Sequence, residues 1–324
     1  MLVYPLSMRN LGHAAAESVV VAAVVVNHLC ALAEHPCALA EHPVAMAAAK
    51  RSGWVGWAGT VERYPLTSRP GVVLAVGVAK EAACGRLGHL HAGSVWNGAV
   101  HLANLIECGF LRERLRGRTV CELGAGAGLP SLVALAADAE SAPRAVVLTD
   151  YDDAELIRNL EQNVTRNSAH LSTSRARALG LTWGTDPAGV LQAAAELEGS
   201  HRCDGFDVVL VADCLWNSDP HEGLLQTLTR VLRQEGEVWM SHCHHWPGHD
   251  AADRSFFARA TSLGFRVERW ETGDAAFACL FEDDETQQAL LHRLTWAATA
   301  APPVVAKTNV RVVVVTGEIA SDDT

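Results

Sequence analysis

Apolar residues recur from residue 95 onward with two alternating periods. Residues 99–108 carry them at helical spacing. Residues 118–123 (RTVCEL) predict a short strand running into a glycine-rich stretch. Residues 129–137 predict a helix with Pro130 in its first turn, where a missing N–H breaks no helical bond. Strand composition returns at 145–149 (AVVLT) and 176–181, with a helical pattern at 153–163 between them. Residues 206–212 (FDVVLVA) form a run of the kind buried on both faces of a sheet. An amphipathic helix at 221–233, a strand at 237–243, a helix at 255–263 and strands at 265–270 and 290–295 complete the series. This alternation predicts an α/β fold, a parallel sheet with helices on both faces.

The first eighty residues are different. They are rich in Ala and Val, and the heptad CALAEHP at 30–36 is repeated at 37–43. Two copies of seven are too few for a solenoid, which stacks longer units several times. The expected division is a poorly ordered leader over 1–80, an α/β domain over 81–298 and a tail over 299–324. The leader would also fit an extension from an upstream start, with Met46 as a later one. Within these bounds 72–78 has strand composition, and 85–93 is loop-like.

Charge narrows the function classes. Twenty-six Lys and Arg against 37 Asp and Glu leave a net charge of −11, which disfavours nonspecific nucleic-acid binding and suits basic partners. Nine cysteines without a C-x-x-C pair give neither a disulfide framework nor a zinc ribbon. The uncharged run between Glu17 and Glu34 is interrupted by Asn27 and His28, short of a membrane span. A soluble, cytoplasmic protein is expected.

The most informative motif is Glu122-Leu-Gly-Ala-Gly-Ala-Gly128, between a strand and a helix. Glycines there let the backbone turn tightly and approach a ligand closely. The spacing is G-x-G-x-G, unlike the G-x-G-x-x-G of dinucleotide sites. The next strand ends at Asp150, placed to accept hydrogen bonds from ribose hydroxyls. Loop and carboxylate together point to an adenosine-containing cofactor. The alternative for Asp150 is helix capping, which Asp152 or Asp153 would serve equally well.

Three further stretches, VWNGA at 95–99, LTWG at 181–184 and VADCLWN at 211–217, join ELGAGAGLPS and LTDYDD in unbroken order. Together these resemble the seven-β-strand, Rossmann-like methyltransferases of the family 16 lysine group, over roughly residues 93–298. The resemblance implies S-adenosyl-L-methionine as cofactor. LTDYDDAELIRNLEQNV, SHCHHWPGHD and FEDDETQQALLHRL resemble the fungal branch that methylates the N-terminus and adjacent lysine of translation elongation factor 1-alpha. That branch was long known under the name of nicotinamide N-methyltransferase.

The resemblance also implies site residues. Trp96 would pack against the cofactor. Gly124, Ala125 and Gly126 would lie beside its methionine and ribose, Asp150 would hold the ribose hydroxyls, and Glu122 is a further cofactor-binding candidate. Trp183 and Ala212 would border the adenine, although Trp183 alone would also suit a core aromatic. Asp213 and Trp216 are the catalytic candidates. Many relatives carry Tyr where Trp216 stands, so an aromatic wall replaces a hydroxyl and would stabilise a cationic amine. Asp213 would orient the amine, or else be a strand-end carboxylate satisfied by backbone N–H groups.

Four histidines, His242, His244, His245 and His249, imitate a metal site, but sulfonium methyl transfer to an amine needs no Lewis acid, and no metal is expected. The acidic run Glu282, Asp283, Asp284 and Glu285 reads as a solvated face that would also attract a lysine-rich substrate. The favoured reading is a protein N-methyltransferase, with elongation factor 1-alpha as protein partner and no nucleic acid or membrane. The rivals are a methyltransferase for a small amine such as nicotinamide and an inactive cofactor-binding scaffold.

Overall fold

The computed structural model describes residues 61–79, 92, 94–172, 175–244, 250–270 and 289–297. The tandem heptad, His245, His249, the acidic run at 282–285 and the tail lie outside the described residues. Strands β1 (Val61–Pro65) and β2 (Val73–Gly77) form an antiparallel hairpin. The main sheet contains β3 (Thr119–Leu123), β4 (Ala145–Asp150), β5 (Ala176–Gly180), β6 (Phe206–Ala212), β7 (Leu232–His242), β8 (Phe265–Trp270) and β9 (Leu290–Trp296). Their order is β5-β4-β3-β6-β7-β9-β8. The helices are α1 (Asn97–Glu107), α2 (Arg112–Leu115), α3 (Leu129–Leu135), α4 (Ala154–Arg166), α5 (Ala188–Glu198), α6 (His221–Val231) and α7 (Asp250–Ser262). None of these is long and apolar enough to cross a membrane.

Strands β5, β4, β3, β6 and β7 are parallel neighbours, as the uninterrupted apolar runs predict, and β3 and β4 are buried along their whole length. β9 departs from the expected parallel sheet. It runs antiparallel to both β7 and β8 and separates them.

Strand alternation sorts side chains into two cores. Val120, Val146, Leu148, Val208, Leu210 and Trp239 face α1, α3 and α4. Cys121, Val147, Val209, Val211, Val238 and Met240 face α5, α6 and α7. Helix α5, which the apolar pattern did not mark, packs through Val190 and Ala194. Its run of alanines provides a flat contact with little contrast between its faces.

The hairpin shares the first core through Tyr64, Leu66, Leu74 and Val76, so the boundary expected at residue 80 does not separate it from the domain. Helix α4 holds the outer edge of β2 with asparagine side chains. Asn167 Oδ1 accepts from the Ala75 N–H (2.7 Å) and its Nδ2 donates to the Ala75 carbonyl (2.8 Å). Asn163 repeats the pattern at Gly77, at 2.9 and 2.7 Å. Each amide substitutes for the backbone of a missing neighbouring strand.

Buried titratable groups predict a pH dependence. Burial holds His101 down to about 4 from 6.5, against the opposing charge of Asp213. Burial, reinforced by His242 and Arg269, holds His292 down to about 3 despite Asp253. Between about pH 6.5 and 4 the unfolded chain binds protons that these folded imidazoles refuse, so both lower stability as pH falls. Burial raises Glu122 to about 7 against two Ser131 hydrogen bonds, and that group gives the opposite slope between about pH 4.5 and 7. His292 stacks on Phe257 with ring centroids 4.0 Å apart. His292→Phe keeps the stack and removes the titration, so urea midpoints measured against pH will show a shallower acid limb than in the wild type.

Candidate active site

The strand order reverses at β3. The chain proceeds from β3 to β4 and β5 on one side, and β6 and β7 lie on the other. The loops leaving the carboxyl ends of β3 and β6 therefore diverge, and such a crevice is where open α/β sheets bind ligands. A cavity of about 430 Å³ lies there, floored by residues 124–127 and walled by Trp96, Trp183 and Trp216. Its volume is in the range for a small-molecule cofactor.

The glycine loop is built from alternating constraints. Gly124, Gly126 and Gly128 have φ values of +65°, +56° and +75°. A Cβ at Gly124 would lie 2.7 Å from Cys214 Sγ and 2.9 Å from Trp183 Cζ2, so the tryptophan can cover the loop only because that position has no side chain. The Ala125 N–H donates to the Thr149 carbonyl at 2.9 Å. The Gly126 N–H donates to Asp150 Oδ2 at 2.6 Å, and the Tyr151 N–H to Asp150 Oδ1 at 2.7 Å. Burial raises the Asp150 pKa, and these two backbone bonds oppose the rise. Helix α4 is capped by Asp153, which accepts from the Glu155 N–H. Asp150 is therefore not the cap. It fixes the loop and faces the cavity, with carboxylate lone pairs remaining for a ligand.

Asp213 follows β6 and lines the same cavity. It is the non-glycine residue at positive φ (+50°) among the described residues. Its carboxylate accepts from the Gly98 N–H in the first turn of α1 and from the Cys243 N–H at 2.8 Å, and its own N–H donates to the Ser241 carbonyl at 2.8 Å. One side chain thus joins β6, β7 and the start of α1. A Cβ at Gly98 would come within 2.7 Å of the Ser241 carbonyl oxygen and 2.9 Å of Asp213 Cγ. The strand-end carboxylate reading is realised here, and the same carboxylate lines the cavity.

Nine of the ten site residues expected from the sequence line one cavity: Trp96, Gly124, Ala125, Gly126, Asp150, Trp183, Ala212, Asp213 and Trp216. Glu122 is outside its lining. It is fully buried on the α3 side of the sheet, where its Oε2 accepts from the Ser131 hydroxyl and from the Ser131 N–H at 3.0 Å. Through these bonds it anchors the first turn of α3. The sequence reading did not select Tyr151, Thr182, Asn217 or Asp219, which also line the cavity. Three of these directly follow or closely neighbour a selected residue, which was the available signal.

Of the four histidines, two are described. His244 Nδ1 lies 2.6 Å from Asp253 Oδ2 and His242 Nδ1 lies 3.6 Å from it, with the three donors within 4.8 Å of one another. Burial pushes the Asp253 pKa up, but the neighbouring His242 and the hydrogen-bonded His244 outweigh it and hold the group below its ordinary value. The cluster ties the end of β7 to α7.

A glycine loop after β3, a carboxylate ending β4 and an aromatic-walled cavity at the switch point define an enzyme of the α/β class that binds a nucleoside-containing cofactor. The sequence pattern of the lysine methyltransferase family matches residues 86–262, more than half of the chain. The chain belongs to that family. It resembles the protein N-terminal and lysine N-methyltransferase EFM7 of Schizosaccharomyces pombe, with 35% identity over 182 residues, 56% of this chain and 67% of the relative. The Gibberella zeae protein of the same name is 32% identical over 185 residues, 55% of this chain and 67% of that one. The Eremothecium gossypii protein is 33% identical over 201 residues, 61% and 69% of the two chains. The chain is a methyltransferase, and S-adenosylmethionine is its methyl donor.

Proposed function

We propose that this methyltransferase modifies the N-terminal amine and an adjacent lysine of a protein, with translation elongation factor 1-alpha as acceptor. The observation carrying this reading is that Asp213 and Asp219 line the same cavity as Trp96 and Trp216. Carboxylates and aromatic faces attract a cationic amine. The names of the fungal relatives support a protein acceptor. A cytoplasmic setting accompanies this reading and suits Cys108, Cys121, Cys203, Cys214 and Cys243, which are free thiols.

S-adenosylmethionine supplies a methyl group activated on a sulfonium sulfur. The residues present fit it: Gly124 and Gly126 leave backbone close to the cavity, Asp150 offers acceptors for ribose hydroxyls, and Trp183 with Ala212 walls off an adenine. Trp96, which lines the same cavity, would pack on the cofactor. The chain then has to align the acceptor, because alignment alone removes a large part of the barrier. The amine must be neutral to attack. Burial between Trp96 and Trp216 lowers its pKa, and an α-amine near ~7.7–8.0 sheds its proton more readily than a lysine near ~10.4. Asp213 orients the amine from the β6 end, and Trp216 forms an aromatic wall in place of a hydroxyl.

The test is a mass-resolved methyl-transfer assay with labelled S-adenosylmethionine, offering recombinant elongation factor 1-alpha and, separately, nicotinamide. The expected result is label on the factor's N-terminal peptide. Label on nicotinamide alone would replace the protein reading with the small-amine one, and binding without transfer to either would reject both.

A further inference from the structure

We propose that Asn163, on helix α4, is a positioning residue for the cofactor loop and makes the β1–β2 hairpin a working part of the cofactor site. The proposal rests on residues 124–128 being the cradle of S-adenosylmethionine. Asn163 is 1% exposed, and its side chain meets two separate pieces of backbone. Oδ1 accepts from the Gly77 N–H at 2.9 Å, while Nδ2 donates to the Gly77 carbonyl at 2.7 Å and to the Ala127 carbonyl at 2.9 Å. The Arg166 guanidinium also donates to Oδ1.

The Ala127 carbonyl belongs to the peptide between Ala127 and Gly128, inside the loop. Glycine-flanked peptides reorient at low steric cost, because glycine accepts both signs of φ. Here one orientation must persist. Gly128 sits at φ +75° as the residue capping α3, with its N–H donating to the Ala125 carbonyl at 2.7 Å. Two residues upstream, the Gly126 N–H donates to Asp150. Pinning the Ala127 carbonyl therefore fixes the plane that sets both the start of α3 and the cavity-lining backbone at Gly126 and Ala127. A buried carbonyl deprived of this donor would be left unpaired and free to turn.

The same amide group also holds Gly77 at the end of β2. Loop and hairpin thus share one side chain, and loosening either disturbs the other. Asn167 provides an internal control. It caps the C-terminus of α4, four residues on, and makes the equivalent pair of bonds to Ala75, with a further bond from Nδ2 to the Asn163 carbonyl. Its amide bonds the hairpin and the Asn163 carbonyl, and not the loop.

The experiment compares Asn163→Ala and Asn167→Ala in the full chain. Calorimetric titration with S-adenosylhomocysteine and the cofactor KM are measured alongside thermal melting, at a temperature where both variants are folded. Both substitutions should lower the melting temperature: Asn167→Ala removes the bonds to the Ala75 N–H and carbonyl, and Asn163→Ala removes those to the Gly77 N–H and the Ala127 carbonyl, while the Gly77 carbonyl keeps Asn159 Nδ2 at 3.1 Å. Asn163→Ala should weaken S-adenosylhomocysteine binding about tenfold and raise the cofactor KM in step, with Asn167→Ala within about twofold of wild type. Equal weakening by both, or an unchanged affinity in Asn163→Ala, would overturn the proposal by making Asn163 a structural residue. If Asn163→Ala does not fold, Asn163→Ser, too short to span Gly77 and Ala127 together, supports the same comparison. A wild-type chain that binds no S-adenosylhomocysteine would instead remove the cofactor reading on which the proposal stands.

Discussion

Gly124→Ala is expected to weaken cofactor binding about a hundredfold while leaving a folded protein. Two costs combine. A side chain at φ +65° strains the backbone by about 1–2 kcal/mol, roughly tenfold in affinity if the loop relaxes only when empty. The new Cβ would also lie 2.9 Å from Trp183 Cζ2 and 2.7 Å from Cys214 Sγ. Cys214 is buried against the carbonyls of Ala212 and Leu123 and has little room to retreat. Trp183 lines the cavity and is the group that moves, turning into the space proposed for the adenine. Calorimetry with S-adenosylhomocysteine, paired with a melting curve, checks this. Wild-type affinity would mean that the ligand does not approach the first glycine.

Asp213→Asn should act on the other half of the reaction. Asparagine has the same shape and tolerates the left-handed backbone that Asp213 adopts at φ +50°. It offers one acceptor oxygen where two backbone N–H groups, from Gly98 and Cys243, require one each. Its NH₂ must therefore face a donor, which loosens the first turn of α1 on which Trp96 and Ala99 stand. The negative charge proposed to face the incoming amine disappears as well. The single-turnover rate should fall about a hundredfold, a typical loss when one preorganised electrostatic partner is removed. S-adenosylhomocysteine affinity should stay within about threefold of wild type. A turnover within about fivefold of wild type would restrict Asp213 to joining β6, β7 and α1.

The sequence was most legible where burial enforces a pattern. FDVVLVA is apolar because β6 lies between two neighbours and is covered on both faces, and the apolar run alone marked it as a central strand. The glycine loop was legible for a related reason, since positive φ at alternate positions leaves few alternatives to glycine. Glu122 shows where adjacency misleads. It precedes the loop by two residues, but alternation along β3 places it with Val120, facing α3, and that parity was already visible in TVCEL. Strand β1 was missed because VERYP carries two charges in five residues, and its buried Tyr64 has meaning only once the hairpin meets the main core. The direction of β9 depends on how the chain returns after β8, which composition does not encode. The asparagine ladder was readable in principle. Asn159, Asn163 and Asn167 stand four apart on α4, a polar stripe on a helix whose apolar face is already accounted for, and all three are buried. Its partner, the edge of β2, lies more than eighty residues upstream, and local spacing gave no sign of it.

The insertion of β9 between β7 and β8 also sets an order of events during synthesis. Val238, Trp239 and Met240 of β7 pair with Leu294, Arg293 and His292 of β9, so that edge of β7 stays open until the nascent chain has been extended by about fifty more residues. In the interval the growing polypeptide exposes an apolar strand edge to other chains, the state in which aggregation competes with folding. The end of β7 that bonds Asp213 through Cys243 is next to this late pairing. The cavity wall that Asp213 joins to β7 is thus completed among the last parts of the domain to fold, and a ribosome that stalls before β9 would release a chain with its glycine loop but with that edge of β7 unpaired.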